Sequence, residues 1–460
     1  MKYSLLGIAL SLFLNCANTP HVTPGLDSDE CYDLNEVKTG ISRPSEEVSG
    51  NVAFVHVNVI DVSAGQILSD KTVLVKNSII ESIEPGSFKV PGTYFIIEAP
   101  GTFLMPGLAD MHTHVWYPED LLPYVANGVT TILNMGSPST ILQLRAQAIN
   151  KEIVAPTIFA GAFVDGPGSR GWYARTPAEA EEAVDEIKTA GWDFIKAYNS
   201  IPTDAYQALL SKAKAEQIAV IGHGVRAVGM QGILNAGQVM IAHAEEYLYT
   251  YFPQSLDESQ IPEAVSITKS SGAFVTPNLC TYENIARQWG NPSALEKKLA
   301  CSEMKYVSPK WKDNSWKQFD FVTRTGSIDN QYAFLKKFTK GLHDGGVPLL
   351  LGTDTPFVIG QANGFAIHDD IRNLRDCGLT PFQILRIGTK NASEFINKYV
   401  PGSSSFGEVK VGYRADLLLL QSSPVENLEA LQDKVGVMIN GRWISNKKLV
   451  DQMEALAKTF

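Results

Sequence analysis

Between Phe103 and Asp354 short apolar runs recur, separated by stretches of helical character. This alternation restricts the fold more than any other feature of the chain. The runs are Phe103 to Met111, Val129 to Met135, Thr157 to Val164, Phe194 to Tyr198, Ala219 to His223, Val239 to His243, Ala273 to Pro277 and Pro348 to Asp354. They are apolar without strict alternation, as expected of parallel strands covered on both faces. Thr176-Pro177-Ala178-Glu179 reads as a capping box with Pro at the first helical position, and a further helix is predicted over 203–217. Right-handed crossovers between such runs predict an α/β fold closed into a (β/α)8 TIM barrel. One interval, Leu279 to Gly346, is too long for a single unit and carries Trp289, Trp311 and Trp316 among many charges. It is read as a helical insertion, about 280–346, near the barrel mouth.

The flanks have a different pattern. Val52 to Val57, Thr72 to Val75 and Ser78 to Ile83 are β-rich runs cut by Gly, Asn and Pro, and Ala415 to Leu420 and Val435 to Gly441 repeat that texture. Neither flank has enough strands for a stable sheet alone. The economical arrangement is a small β-sandwich domain made by both chain ends, 49–104 and 405–446, around a barrel at 105–404. Upstream, Met1-Lys2 and the apolar run Leu5 to Leu14 are followed at once by Cys16. The run is too short to span a bilayer as a helix and suits a secretory signal. The segment 1–16 resembles a bacterial lipoprotein signal, which implies an exported protein anchored to the cell envelope through lipidated Cys16. The alternative is a periplasmic or secreted protein with an unmodified Cys16. Residues 17–48, mixed in Pro, Ser, Thr, Asp and Glu, read as a tether.

The 460 residues carry a formal net charge of -10 with no dense Lys/Arg patch, which argues against nucleic acid as a partner. Membrane contact is expected only through the lipid anchor, and a homo-oligomer stays open. Cys31, Cys280, Cys301 and Cys377 are widely spaced with no CxxC pair, so their pairing is open and thiolate metal binding is disfavoured.

The chemistry-bearing residues cluster at the ends of the runs. In His112-Thr113-His114, residues i and i+2 of a strand point to one side, so both imidazoles can face the barrel interior. Barrel active sites gather at the C-terminal ends of the strands. Lys196 ends Asp193-Phe194-Ile195-Lys196 inside an apolar strand. A buried ammonium is costly. Lys196 therefore either snorkels, acts as a neutral amine, or is carboxylated by CO2 to a carbamate able to bridge two metals. His223 and His243 each end an apolar strand in successive units, which is a weak fit to two unrelated core histidines. Asp354 closes Leu349 to Asp354, where a carboxylate suits metal ligation and proton transfer. Of the remaining histidines, His21 lies in the tether, His56 in the β domain and His343 in a helical stretch. His368, followed by Asp369 and Asp370, is a candidate substrate-binding residue. Arg170, after the third strand, is another, able to hold a substrate carboxylate bidentately; the bland alternative is a surface arginine.

Taken together, these residues are similar to the amidohydrolase superfamily over about 50–445. Pro106-Gly107-Leu108-Ala109-Asp110, Lys196-Ala197-Tyr198 and Gly407-Glu408-Val409 before Gly412 to Asp416 resemble its imidazolonepropionase-like and prolidase-like dipeptidase branch. The resemblance implies two divalent metal ions of zinc type. His112, His114 and Asp354 would hold one and His223 and His243 the other, with carboxylated Lys196 as bridge and Tyr198 directed at the scissile carbonyl. The chain departs from the branch at Ala242-His243-Ala244, where Glu-His-Gly is usual, and follows it with Glu245-Glu246. The expected activity is hydrolysis of an amide C–N bond in a dipeptide or N-acyl amino acid, with Asp354 as proton shuttle. A cyclic-amide or ester hydrolase on the same site, and a non-catalytic surface lipoprotein retaining the fold, are the alternatives.

Overall fold

A computed structural model of the chain describes residues 31–34, 47–169, 171–253 and 255–460. Seven parallel strands follow one another in sequence order: Leu108–Thr113, Val129–Met135, Thr157–Asp165, Phe194–Ala197, Ala219–Gly222, Met240–Ala242 and Phe274–Thr276. The short strand Trp172–Tyr173 pairs with the third of them at its outer end. The ring closes through residues 349–355, which bridge Val275 at Leu349 and Thr113 at Thr355, both in parallel sense. Leu350 donates to Val275 O at 2.9 Å and Met111 to Leu351 O at 2.8 Å. The expected (β/α)8 barrel is therefore present, with an extended closing segment in place of a continuous eighth strand.

The first apolar run is not one strand but two. Phe103–Pro106 belongs to the sheet of the chain ends and Leu108–Thr113 to the barrel. The break falls at Gly107, where a Cβ would lie 2.2 Å from Thr130 Oγ1. Only a residue without a side chain lets the backbone turn this close to the second barrel strand.

Phe103–Pro106 joins the two flanks of the chain. It pairs antiparallel with Leu417–Leu420 and parallel with Asn58 and Val59 of Val52–Asp61. One continuous nine-stranded sheet results. It curls over a core in which Phe54 from the N-terminal flank meets Trp443 from the C-terminal flank edge-on, 5.4 Å between centroids. The C-terminal helix Asn446–Ala457 was not anticipated; its Leu449 and Met453 enter the main core.

The barrel interior is filled at the N-terminal ends of the strands and free for chemistry at the other. Phe395, on the helix Lys390–Tyr399, stacks on Phe194 at 5.4 Å and meets Phe274 edge-on at 5.1 Å. Ala109, Met111, Leu133, Ile221, Met240 and Leu350 belong to the same apolar layer. Apolar burial of this kind contributes about 25 cal/mol per Å² removed from water.

The helix after Thr176 spans Pro177–Ala190, with Thr176 accepting from the Glu179 N–H. Glu179 does not complete the box on Thr176; its carboxylate accepts from Arg175 N at 3.0 Å, one residue further out, because Arg175 also binds it through the guanidinium. The second predicted helix spans Thr203–Ala215. The insertion holds the helices Leu279–Gln288, Pro292–Leu299 and Asp329–Asp344, with short 3-10 turns and one π-helical turn, Trp311–Ser315, between. All three tryptophans are buried there, and Trp311 Nε1 donates to Asp120 at 3.0 Å, fastening the insertion to the loop after the first strand.

Part of the segment read as a tether is docked. Cys31 is disulfide-bonded to Cys301 in the insertion. Tyr32 is buried, its N–H donates to Glu303 at 3.1 Å and its hydroxyl to Asp369 at 2.6 Å. Cys280 and Cys377 are free thiols. The signal segment with Cys16, His21 and Arg170 lie outside the described residues.

Candidate metal centre

Six predicted residues come together at the C-terminal ends of the barrel strands. His112 lies in the first strand and His114 one residue beyond it; Lys196 is in the fourth; His223 and His243 directly follow the fifth and sixth; Asp354 lies in the closing segment. All six are buried. Ligand atoms of His112, His243 and Asp354 lie within 4.8 Å of one another. Asp354 Oδ1 is 2.9 Å from His114 Nε2 and 3.2 Å from His112 Nε2, and Oδ2 is 3.9 Å from His243 Nε2. Lys196 Nζ is 3.4 Å from His112 Nε2. The His223 and His243 rings are 4.8 Å apart.

The backbone is held in unusual conformations to achieve this. His243 and Asp354 both have positive φ, 73° and 59°. Such φ values at residues with a Cβ cost about 1–3 kcal/mol each and persist where the surroundings enforce them. Asp110 supplies part of that enforcement. Its buried carboxylate accepts from His112 N at 3.2 Å, Thr353 N at 3.0 Å and Thr353 Oγ1 at 2.6 Å. Asp354 N in turn donates to His112 O at 2.7 Å. One carboxylate thus ties the first strand to the closing segment beside two ligand positions. On the other side, His112 Nδ1 faces Asn278 Oδ1 at 3.3 Å, and Glu246 Oε1 lies 3.9 Å from His223 Nε2 while its other oxygen accepts from Gly224 N at 3.1 Å. Partners of this kind fix ring orientation and tautomer in metal sites. Asp110, Asn278 and Glu246 were not singled out from the sequence. Asp110, one short strand repeat before His112, was within reach of it.

Electrostatics favour cation binding. Burial holds all four imidazoles below their ordinary range, well below it for His112 and His223 and down to about 4 for His243. Each is therefore neutral near pH 7, the form that ligates metals. Burial opposes ionisation of Asp354, but His243 and His114 outweigh it and keep its carboxyl below the usual range. Burial pushes the Lys196 amine down to about 8, against the pull of Asp354 and Glu246. Among the described residues His223 Nδ1 is buried without a hydrogen-bond partner, an expensive state that a cation would relieve. The donor set of imidazoles and carboxylate therefore fits a divalent metal of zinc type.

Tyr198 stands at the edge of this group, its ring 4.2 Å from that of His223. His368 is not brought to it. It is buried on the helix Ala366–Asp376, with Nε2 3.3 Å from Asn127 Oδ1 and its ring against Tyr32. The helix places it against the docked N-terminal segment rather than among the clustered side chains. His56 is an exposed partner of Asp70, 2.8 Å away, on the sheet of the chain ends.

A parallel barrel with clustered histidines and an aspartate at its strand ends defines a barrel-mouth site whose donors could hold a metal. A family model, the Amidohydrolase family, matches residues 103–444. The chain belongs to that family. It is 27% identical over 259 residues to a dihydroorotase of Citrifermentans bemidjiense, covering 53% of this chain and 58% of that protein. It is 28% identical over 203 residues to a dihydroorotase of Pelobacter propionicus, covering 41% and 46%. The chain thus spans about half the length of these curated relatives. Among solved structures, it shares the fold of a bottromycin amidohydrolase with a TM-score of 0.68 and 22% identity over 91% of each chain. It also shares that of a Xaa-Pro dipeptidase, with a TM-score of 0.64 and 18% identity over 86% of this chain and 100% of the other.

Proposed function

We propose that this protein is a metal-dependent hydrolase of amide C–N bonds, acting on a dipeptide or an N-acyl amino acid. The observation that carries the reading is the buried convergence of His112, His243 and Asp354, with Lys196 Nζ 3.4 Å from His112. In this reading His112, His114 and Asp354 would hold one divalent ion and His223 and His243 a second. When bound, such ions polarise a scissile carbonyl and lower the pKa of water.

Lys196, once carboxylated, would help to hold the ions. Its neutral Nζ attacks CO2, an N–C bond forms, and one proton leaves, giving a carbamate anion. The low local pKa of the amine keeps a neutral nucleophile available. Asp354 accepts a proton from the attacking water and passes it to the leaving nitrogen as the C–N bond breaks. Tyr198 donates its hydroxyl to the carbonyl oxygen; burial and the neighbouring carboxylates raise its pKa, so it remains protonated. The matches to dihydroorotases favour, as a second reading, a cyclic amide on the same site. We further propose that the protein is exported and anchored through Cys16.

The test is metal analysis joined to a substrate panel of dipeptides, N-acyl amino acids, cyclic amides and esters. About two ions per chain after reconstitution with zinc and bicarbonate, with linear amides preferred, is the expected result. One ion or fewer refutes the paired centre, and preference for a cyclic amide selects the second reading.

A further inference from the structure

Arg226 stands three residues after His223, in the loop that leaves the fifth barrel strand. Its backbone N–H donates to Asn199 O at 3.1 Å, which ties this loop to the one after the fourth strand. The guanidinium carbon lies over the Tyr249 ring, 4.1 Å from its centroid. One Nη1 is 3.5 Å from Glu246 Oε2, and Glu246 is itself buried 3.9 Å from His223. Arg226 is thus one carboxylate removed from a candidate ligand. Its side chain nevertheless stays 38% exposed, whereas that of Glu246 is 2% exposed.

A surface arginine would swing freely. Here the guanidinium has an aromatic ring on one side and a buried carboxylate on another, which restricts its orientation. A guanidinium carries five N–H donors in a rigid fork, and the Glu246 contact at 3.5 Å occupies little of that capacity. With the side chain partly exposed, donors remain for a ligand. The guanidinium also brings a positive charge close to the cluster, one carboxylate away from His223.

We infer that Arg226 is the specificity-determining residue of this site, binding the free carboxylate of the substrate as a bidentate pair. The inference deepens the hydrolase reading and rests on it for the reaction, though not for the binding it predicts. It selects amides whose leaving amine carries a carboxylate, over amides blocked at that position. The Glu246 contact keeps the fork aimed when no substrate is present.

Binding and turnover are measured separately on zinc-loaded wild type, Arg226→Ala and Arg226→Lys. Free L-leucine, L-phenylalanine and L-proline, and the carboxamide of each, are titrated one at a time by calorimetry. At least one free acid should bind better than its carboxamide, and Arg226→Ala should weaken that acid about 10- to 100-fold, the usual range for hydrogen bonds to a charged group. Arg226→Lys should recover part of the loss, because it keeps the charge without the fork. Zinc content should match wild type in both variants, which a purely structural role would not predict. With the N-acetyl derivatives, the loss should fall mainly on KM and only for free acids. The inference is overturned if no acid is preferred over its carboxamide, or if the preference survives Arg226→Ala. Arg226-dependent binding without any hydrolysis would sustain it and refute the hydrolase reading. Hydrolysis indifferent to the carboxylate would do the reverse.

Discussion

Gly222→Ala probes how closely the ligand-bearing strands approach. Gly222 ends the fifth strand immediately before His223 and has φ of +121°. A Cβ there would lie 2.3 Å from Ala197 O and 3.1 Å from both Ala197 N and Lys196 Cγ. Two penalties follow. The backbone conformation costs a residue with a side chain about 1–3 kcal/mol. The overlap is with main chain, which cannot rotate away, and overpacking of this kind adds about 1–3 kcal/mol. Their sum is about 2–6 kcal/mol. At about 2.1 cal/mol/K of unfolding entropy per residue, the 460-residue chain has an unfolding entropy of about 1 kcal/mol/K, so Tm should fall by about 2–6 °C. Relief of the overlap must part the fourth and fifth strands, and with them Lys196 and His223, so metal content should fall as well. Gly272→Ala is the control: φ is +71° but nothing lies within 4 Å of the added carbon. It should show the conformational penalty alone, about 1 kcal/mol at the lower end of the range, and full metal content. Calorimetric melting and elemental analysis of both variants give the answer. A Gly222→Ala protein that melts within a degree of wild type and keeps its metal would show that the strands are not so closely packed.

Three further outcomes are expected. Asp354→Asn keeps a carbonyl oxygen but loses the base, so kcat should fall about 10²-fold or more while most metal stays and KM changes little; His223→Ala should instead lose metal first and be partly rescued by excess zinc, and a near wild-type kcat in Asp354→Asn would move the shuttle elsewhere, Glu245 being the next group to test. Lys196→Ala should abolish activity with the loss of the bridge, and a small carboxylic acid added to the assay should restore part of it; full metal and activity without rescue would rule the bridge out. Cys16→Ser should release the protein from membranes to the soluble fraction, since stable anchoring needs more than a single acyl chain and the lipoprotein modification would supply it; unchanged membrane retention would point to a different anchor.

The sequence by itself determined the barrel and the polar residues that end its strands, because both are written in local pattern. Apolar runs of strand length state the strands, and a polar residue ending such a run is conspicuous wherever it occurs. His112, His114, Lys196, His223, His243 and Asp354 were legible for that reason. What only the tertiary structure decided depends on groups far apart in sequence. Gly107 divides an apparently continuous strand because Thr130, in the next strand, leaves no room for a Cβ. Cys31 meets Cys301 across 270 residues, which spacing alone cannot predict, and the docking of Tyr32 turns part of an apparent tether into structure packed against His368. Asp110 and Glu246 look like ordinary acidic residues in the sequence. Their roles appear only when the closing segment brings Thr353 against the first strand and the fifth and sixth strands bring His223 beside Glu246. Arg226 likewise becomes a candidate anchor only once Tyr249 and Glu246 clamp it at the rim. Hydrophobic periodicity is a property of neighbours along the chain, whereas a hydrogen-bond partner is a property of neighbours in space, and the barrel is what converts one into the other.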